Sequence, residues 1–276
     1  MKNLTENCQG LRSWKKGMAD YLDVLANDAK KSVRSGYYEV VAEVTTPSLS
    51  LKQSILRFKR APIISEIKFA SPSEGELRKS QDVKAVARDM EEGGVVGISV
   101  LTESSHFKGD IRFIAEIREQ VKVPILMKDL VLSPLQIEAG SRSGANVILL
   151  IQTLFERGYC EKDVQAMIDY SHSKNLEVLL EVHTEKEFFS ALKTEADMIG
   201  VNNRDLKTLK LDLEVTRCIL SKHRCSQKVV VTESGIKSSE DIRLLRSYGA
   251  QAFLVGTAVM KAANIKEKVK ELVEAL

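Results

Sequence analysis

The sequence has few aromatic residues and no long apolar run, which excludes an aromatic-rich core and a membrane-spanning helix. Aromatic residues make up 5% of the 276 residues, so aliphatic side chains must fill most of the core. No apolar run approaches the about 20 residues that a membrane-spanning helix needs. The N-terminal sequence also lacks the apolar segment of a signal peptide, which predicts a cytoplasmic protein that does not enter a membrane.

The cysteines follow no metal or disulfide spacing. No two cysteines have the CxxC spacing; the four are Cys8, Cys160, Cys218 and Cys225. Neither a disulfide framework nor a metal site is therefore predicted, although His223 lies between the last two cysteines. The four histidines are scattered, and we expect ordinary loop or surface residues at all four positions.

The charge is nearly balanced, with 41 Lys and Arg against 38 Asp and Glu and a net charge of +3. A nucleic-acid-binding protein usually carries a strongly basic face, so nucleic acid is not a predicted partner. The hydrophobic fraction of 43% and the charged fraction of 29% are typical of a folded chain. A small positive charge is compatible with a small anionic ligand.

Short apolar runs rich in β-forming residues recur along the chain, separated by segments with helical periodicity. Alternating strands and helices predict a parallel sheet. The strands are predicted to begin near Ile63, Val96, Val123, Asn146, Glu177, Met198, Val229 and Ala252. Eight such units predict a (β/α)₈ TIM barrel of the α/β class, with about 27 residues per unit.

The barrel accounts for residues 63–276, and no G-x-G-x-x-G motif of a doubly wound dinucleotide-binding fold follows the first strand. Residues 1–62 carry helical stretches but are too few and too polar to hold a core alone. We therefore predict one domain over residues 1–276, in which residues 1–62 form an N-terminal helical extension that packs on the barrel.

Polar side chains stand at the carboxyl ends of several predicted strands, where barrel enzymes place their chemistry. Glu66 and Lys68 end the first strand, and their spacing of two places them on the same side. Taken alone, this pair could be a plain buried ion pair. The other strand ends carry Lys128, Glu181, Asn202 with Arg204, and Glu233. Desolvated charges are costly to collect at one rim, so the set predicts an active site.

Small residues follow the last two predicted strands, where phosphate-binding barrels hold their anion. Ser234 and Gly235 follow the seventh strand, and Gly256 and Thr257 follow the eighth. Backbone N–H groups can approach an anion closely beside such residues. Either pair alone is a common turn, but the two together predict a phosphate site.

Several motifs in order resemble the indole-3-glycerol phosphate synthase family: SEIKFASPSEG (65–75), LTESSHFKG (101–109), PILMKD (124–129), SGANVILLI (143–151), LLEVHTEKE (179–187), IGVNNRDLKTLKLD (199–212), TESGIKSSED (232–241) and LVGTAVM (254–260). The resemblance spans about Pro62 to Met260, and neighbouring phosphate-binding barrels share only the last two motifs in outline. It implies a carbon–carbon lyase of tryptophan biosynthesis, with a helix of the extension covering the barrel mouth.

The implied reaction converts 1-(2-carboxyphenylamino)-1-deoxyribulose 5-phosphate to indole-3-glycerol phosphate by ring closure, decarboxylation and dehydration, without a cofactor or a metal. Lys128 would be the general acid at the carbonyl, and Glu181 the acid–base partner in the second half. Lys68 would contact the anionic substrate and could act as the acid in dehydration. Glu66 would position or deprotonate and also hold Lys68, and the division of acid and base roles between the two lysines stays open. The remaining implied contacts are Asn202 and Arg204 for orientation, Glu233 for the sugar, Ser71 on a closing loop, and Ser234, Gly235, Gly256 and Thr257 around the phosphate.

The chain departs from the family pattern at three places. Phe69-Ala70 stands where the family usually has a basic residue, His106 where Tyr is common, and Ala263-Asn264 where Asp-Pro is frequent. None of these departures removes a residue with an implied chemical role, but Phe69-Ala70 could alter the charge of the loop after the first strand. Phe69 and Phe107 are candidates for the wall that holds the aromatic ring, with ordinary barrel packing as the alternative.

Two alternatives remain. One is another phosphate-binding barrel, such as phosphoribosylanthranilate isomerase or the tryptophan synthase α-subunit, but the Glu66–Lys68 pair and Lys128 do not fit those enzymes. The other is a non-catalytic binding or assembly barrel, which the complete set of ionisable strand ends argues against. The predicted partner is a small anionic sugar phosphate, and the chain is expected to be a monomer or a weak oligomer.

Overall fold

The structure is a computed structural model that describes residues 20–39, 41, 43–79, 82–222 and 228–276, so Cys8, His223 and Cys225 lie outside it. Eight parallel strands close into a barrel in chain order, and the first strand pairs with both the second and the eighth. The strands are β1 (Ile63–Ile67), β2 (Gly97–Leu101), β3 (Ile125–Lys128), β4 (Val147–Ile151), β5 (Glu177–Val182), β6 (Met198–Asn202), β7 (Val229–Glu233) and β8 (Ala252–Val255). The predicted TIM barrel is confirmed.

At least one helix follows every strand of the barrel, and two helices precede the first strand in the part of the chain that the structure describes. The helices are α1 (Tyr21–Arg34), α2 (Leu51–Arg57), α3 (Val83–Glu92), α4 (Ser104–Phe107), α5 (Arg112–Arg118), α6 (Pro134–Ser143), α7 (Gln152–Glu156), α8 (Val164–Ser173), α9 (Glu185–Leu192), α10 (Glu214–Leu220), α11 (Ser239–Tyr248), α12 (Thr257–Met260) and α13 (Ile265–Val273). Within the described ranges, none of them is long and apolar enough to cross a membrane.

Helix boundaries follow capping residues that are visible in the sequence. Asp20 begins α1, and Ser133 begins α6 ahead of Pro134, each with a reciprocal capping box. Gly144 ends α6 in the left-handed conformation at a φ of 101°. These local signals place the helix ends so that short loops return the chain to the next strand.

Successive side chains of a strand enter two different cores, because they point to opposite faces of the sheet. In β1, Ile63 and Ile67 pack with the helices that surround the barrel, whereas Ile64 packs inside the barrel. Both faces are therefore apolar, which explains why the strands read as nearly continuous hydrophobic runs. Glu66 follows Ile64 on the inner side and marks the start of the polar mouth.

The described part of the N-terminal segment covers both ends of the barrel. Tyr21 and Leu25 of α1 line the cavity at the carboxyl ends of the strands. At the opposite end, Leu51 of α2 is fully buried, and its Cδ1 would lie 2.7 Å from a Cβ added at Gly97. The second cover, α2, was not predicted from the sequence. The division into one domain with an extension over residues 1–62 stays a prediction.

Glu177, the first residue of β5, holds α2 in place. Its carboxylate accepts hydrogen bonds from the backbone N–H groups of Leu51 at 2.9 Å and Lys52 at 3.1 Å, and from the Ser50 hydroxyl. We expect Glu177→Ala to lower the free energy of unfolding by about 1–3 kcal/mol, because it removes the acceptor of two helix N–H groups. Turnover should stay near that of the wild type, because α2 lies away from the mouth.

Urea unfolding at neutral pH measures this prediction, with Glu195→Ala as the control. Glu195 is an exposed residue before β6, and its replacement is expected to change stability by less than about 0.5 kcal/mol. Equal losses of unfolding free energy in the two variants would contradict the proposal that Glu177 holds α2 in place.

Candidate active site

A cavity of about 570 Å³ opens at the carboxyl ends of the barrel strands. Its wall contains all twelve predicted site residues: Glu66, Lys68, Ser71, Lys128, Glu181, Asn202, Arg204, Glu233, Ser234, Gly235, Gly256 and Thr257. They come from β1, β3, β5, β6, β7, β8 and the loops that follow these strands. The barrel therefore brings together side chains that are up to about 190 residues apart in the chain.

Lys128 occupies the centre of the charged groups. Its Nζ lies 3.0 Å from Glu181 Oε2 and 2.7 Å from Glu233 Oε2, and both carboxylates are buried. Burial alone would lower the pKa of Lys128, but the two carboxylates outweigh it and hold that pKa above its usual value. Lys128 is therefore an ammonium at neutral pH, aimed into the cavity.

The two carboxylates around Lys128 titrate differently. Burial alone would raise the pKa of each, but Lys128 and its other neighbours hold the pKa of Glu181 well below its usual range. For Glu233, burial and the charge of Glu181 outweigh Lys128, and its pKa is raised. A shared ammonium therefore leaves one carboxylate firmly ionised and the other readier to accept a proton.

Lys68 forms a second, separate ion pair. Its Nζ lies 2.6 Å from Glu66 Oε1, as the spacing in the sequence predicted. A Cβ added at Gly256 would lie 2.4 Å from that same oxygen and 3.0 Å from Lys68 Nζ. The absent side chain of Gly256 thus makes room for the Glu66–Lys68 pair beside the predicted phosphate site.

Gly200 on β6 makes room for Glu233 in the same way. A Cβ there would lie 2.2 Å from Glu233 Oε1. Since Glu233 is buried and its other carboxylate oxygen binds Lys128, Gly200→Ala must shift the carboxylate from its present position beside the ammonium. We expect at least an about tenfold loss of turnover, which is the scale of effect for a displaced catalytic group.

The matched control is Val201→Ala on the same strand. Val201 packs in the outer core and not in the cavity, so its truncation should lower stability while turnover is retained. Turnover is measured at saturating substrate for both variants. Wild-type turnover in Gly200→Ala would show that the position of Glu233 is not critical.

Asn202 connects the charged groups to the loop after β6. Its Nδ2 donates to Glu181 Oε1 at 3.0 Å, and its Oδ1 accepts from the backbone N–H of Arg204 at 3.0 Å. The Arg204 guanidinium donates to the carbonyl of Leu209 at 2.9 Å. This loop is thereby folded back so that Arg204 faces the cavity.

The predicted phosphate residues lie together on one side of the mouth. Ser234 and Gly235 both have positive φ, at 67° and 85°. A serine in this region is uncommon and is a sign of a turn held in place for function. Gly256 and Thr257 line the same cavity, as do three cations that were missed in the sequence: Lys237, Lys261 and Lys268. These lysines stand in ordinary polar segments, so no local pattern distinguished them.

The loop after β1 lies against the mouth and includes a short hairpin at residues 70–71 and 75–76. Glu74 pairs with Lys261 at 2.5 Å, and Glu76 pairs with Lys108 at 2.9 Å. The Arg78 guanidinium donates to the carbonyl of Met260 at 3.2 Å. Ser71, which belongs to this hairpin, is buried. The loop is thus tied to both neighbouring segments.

One side of the cavity is apolar, with Leu101, Phe107, Leu130, Leu149, Ile151 and Leu206 in its wall. Phe107, one of the two predicted candidates for this wall, belongs to it. Phe69, the other candidate, does not: it is buried in the outer core, with its ring centroid 5.8 Å from that of Phe113. Phe69 follows Lys68 directly, so its side chain points to the opposite side.

Two histidines are more than loop or surface residues. His106 Nδ1 lies 3.0 Å from Tyr21 Oη, and its Nε2 lies 3.0 Å from Asp28 Oδ2, which ties α4 to α1. His183 Nε2 lies 3.2 Å from Glu181 Oε1. The expectation of ordinary histidines was therefore wrong for His106 and His183, and it holds for His172, whose side chain is 37% exposed.

Comparison with known proteins shows which family the chain resembles. A family model described as indole-3-glycerol phosphate synthase matches residues 20–272. A relative of that name from Methanocaldococcus jannaschii is 39% identical over 251 residues, which cover 89% of this chain and 91% of the relative. Another of that name, from Caldanaerobacter subterraneus subsp. tengcongensis, is 38% identical over 261 residues, covering 91% and 98%.

Among solved structures, thiamine phosphate pyrophosphorylase from Pyrococcus furiosus is similar with a TM-score of 0.56 and 17% identity. The similarity covers 80% of this chain and 96% of that one. At this identity, the likeness concerns the fold alone.

Proposed function

The chain belongs to the indole-3-glycerol phosphate synthase family, the carbon–carbon lyases of tryptophan biosynthesis, and we propose how its cavity residues divide the work. The reaction closes, decarboxylates and dehydrates 1-(2-carboxyphenylamino)-1-deoxyribulose 5-phosphate. It needs a proton donor at the ketone, an acid–base pair for loss of water, and binding groups for a phosphate and a carboxylate.

Lys128 is the proposed general acid of ring closure. The ring carbon that bears the carboxylate bonds to the ketone carbon, and the ketone oxygen takes the proton of the Lys128 ammonium. Carbon dioxide then leaves, and its bonding electrons restore the aromatic ring. The contacts of Lys128 with Glu181 and Glu233 support this role, because they keep the ammonium protonated and directed at the cavity.

Dehydration follows with a second acid and a base. We assign Lys68 as the donor to the leaving hydroxyl, because it is the other ammonium at a strand end of the cavity and has its own partner, Glu66. Glu181 is the acid–base partner that takes the proton from the carbon next to the one that loses the hydroxyl, so that the double bond of the indole forms; its ionised state beside Lys128 supports this role. Glu233 contacts the sugar hydroxyls or the amine.

Substrate binding is assigned to the rest of the rim. The phosphate is held by backbone N–H groups at Gly235, Gly256 and Thr257, with Ser234 adjacent. Asn202 and Arg204 orient the substrate, and Ser71 closes over it. The aromatic ring lies against the apolar wall around Phe107. A small anionic sugar phosphate therefore remains the proposed ligand, with a monomeric or weakly oligomeric chain in the cytoplasm.

The observation that carries this proposal is one cavity with an apolar wall that brings together Lys68 and Lys128 with the buried carboxylates of Glu66, Glu181 and Glu233. Purified protein given fresh substrate, with no metal or cofactor added, is expected to produce an indole, followed by its absorbance and fluorescence. Tight binding without turnover would instead favour the non-catalytic barrel.

A further inference from the structure

His183 lies between two carboxylates just behind the mouth. It follows Glu181 by two residues, and its Nε2 is 3.2 Å from Glu181 Oε1. Its Nδ1 is 3.7 Å from Oε2 of Glu187, in the first turn of α9. The side chains of His183 and Glu187 are only 13% and 7% exposed. The imidazole is therefore enclosed by groups of opposite charge.

Glu187 is itself held rigidly. Its Oε2 accepts from the backbone N–H of His183 at 2.7 Å, and its Oε1 accepts from the Thr153 hydroxyl of α7 at 2.8 Å. The Thr184 hydroxyl caps the helix at the backbone N–H of Glu187. A carboxylate with both oxygens engaged gives the imidazole a fixed counter-charge.

His183 acts on the cavity only through Glu181. In the described ranges, the cavity wall includes Glu181 but not His183. Glu181 has three polar partners: Lys128 Nζ on one oxygen, and Asn202 Nδ2 and His183 Nε2 on the other. Of the two cations among them, only Lys128 faces the substrate.

The charges around His183 decide its protonation. Glu181 of β5 and Glu187 of α9 face it directly, and Lys128 of β3 and Glu233 of β7 lie beyond Glu181. Burial alone would lower the pKa of His183, but the two facing carboxylates outweigh it and raise the pKa to about 9. The ring is thus an imidazolium at neutral pH.

We propose that His183 is a positioning residue that keeps the Glu181 carboxylate ionised and oriented while Lys128 transfers its proton. This inference rests on the acid–base role proposed for Glu181. When Lys128 gives its proton to the substrate, Glu181 loses the charge of its ammonium partner. His183, clamped by Glu187 and out of contact with the substrate, is the cation that remains beside it.

The test is His183→Gln, which can keep a hydrogen-bond donor but removes the charge. At neutral pH we expect kcat to fall about 10- to 100-fold with KM changed less than about twofold. The acidic limb of the kcat–pH profile should also move to higher pH, because Glu181 loses a cation and its pKa rises. A merely structural role would lower kcat evenly at every pH.

His172→Gln is the matched control. His172 also pairs with a carboxylate, Asp197 at 2.9 Å, but on the outer helix α8. Its kcat–pH profile should be that of the wild type. A wild-type profile in His183→Gln, alongside an inactive Glu181→Gln, would overturn the inference and leave the proposed function intact.

An NMR titration of the wild-type protein decides the question even if His183→Gln does not fold. The imidazole signals of His106, His172 and His223 are assigned by replacing these three histidines one at a time, which leaves the signal of His183 by elimination. His183 is expected to titrate near pH 9. A midpoint near the unperturbed value of about 6.5 would overturn the inference. Absence of wild-type turnover, in contrast, would remove the proposed function whatever the midpoint.

Discussion

Replacement of Lys128 by Ala is expected to lower turnover at least about a hundredfold, the usual scale for loss of general acid catalysis. Lys68 cannot take its place, because it is engaged with Glu66 on a different strand. We expect a lower kcat and little change in KM, since the proposed phosphate and ring contacts lie elsewhere in the cavity. Steady-state kinetics of indole formation at neutral pH measure it.

The same substitution should also affect stability in a pH-dependent way. Lys128 depresses the pKa of Glu181, so the pair contributes stability above the unfolded pKa of the carboxylate and loses it as pH falls through the lower folded value. In Lys128→Ala that contribution is gone, and the buried carboxylates take up protons instead. The loss in unfolding free energy should therefore be larger at pH 7 than at about pH 3, which lies below the unfolded pKa of the carboxylate, as measured by urea unfolding.

Lys266→Ala is the control for both measurements. Lys266 pairs with Glu92 on the outer surface at 2.8 Å, where both side chains are well exposed. Its removal is expected to leave turnover unchanged and stability little changed. Near-wild-type turnover in a folded Lys128→Ala variant would refute the assignment of Lys128 as the acid.

Replacement of Glu181 by Gln is expected to have a comparable effect, a fall in kcat of at least about a hundredfold. Glutamine keeps the volume and can still accept a hydrogen bond from Asn202, but it neither holds nor takes up a proton at this site. KM should change little, because the substrate-binding groups stay in place. Rapid-quench measurements would show whether the block falls after carbon dioxide has left.

The control for Glu181 is Glu156→Gln. Glu156 lies 3.6 Å from Lys186 on the outside of the barrel, so its replacement should leave both kcat and KM as they are. If Glu181→Gln raised KM at unchanged kcat, Glu181 would be a binding group and not the acid–base partner.

Several features of the site were predictable because they depend on short-range periodicity. A strand places residues two apart on the same side, which sufficed to pair Glu66 with Lys68 and to place both at the mouth. Parallel strands that alternate with helices leave their carboxyl ends at one rim, which sufficed to gather Lys128, Glu181 and Glu233. The same alternation explains why Phe69 had to point away.

Other features depended on distances between segments that are remote in the chain. No local pattern indicated that Lys128 bridges Glu181 and Glu233, or that Gly200 makes room for a carboxylate of the next strand. The placement of α2 beneath the barrel, through Glu177, was equally hidden.

The sequence by itself thus determined the barrel, its rim and the residue types at the rim, because strand and helix periodicity and capping are local properties. Only the tertiary structure decided which carboxylate stays ionised, where the loop lysines meet the mouth, and that His183 is a buried cation behind Glu181. Protonation and pairing depend on burial and on charges brought close by folding, and these arise only when all eight strands have closed.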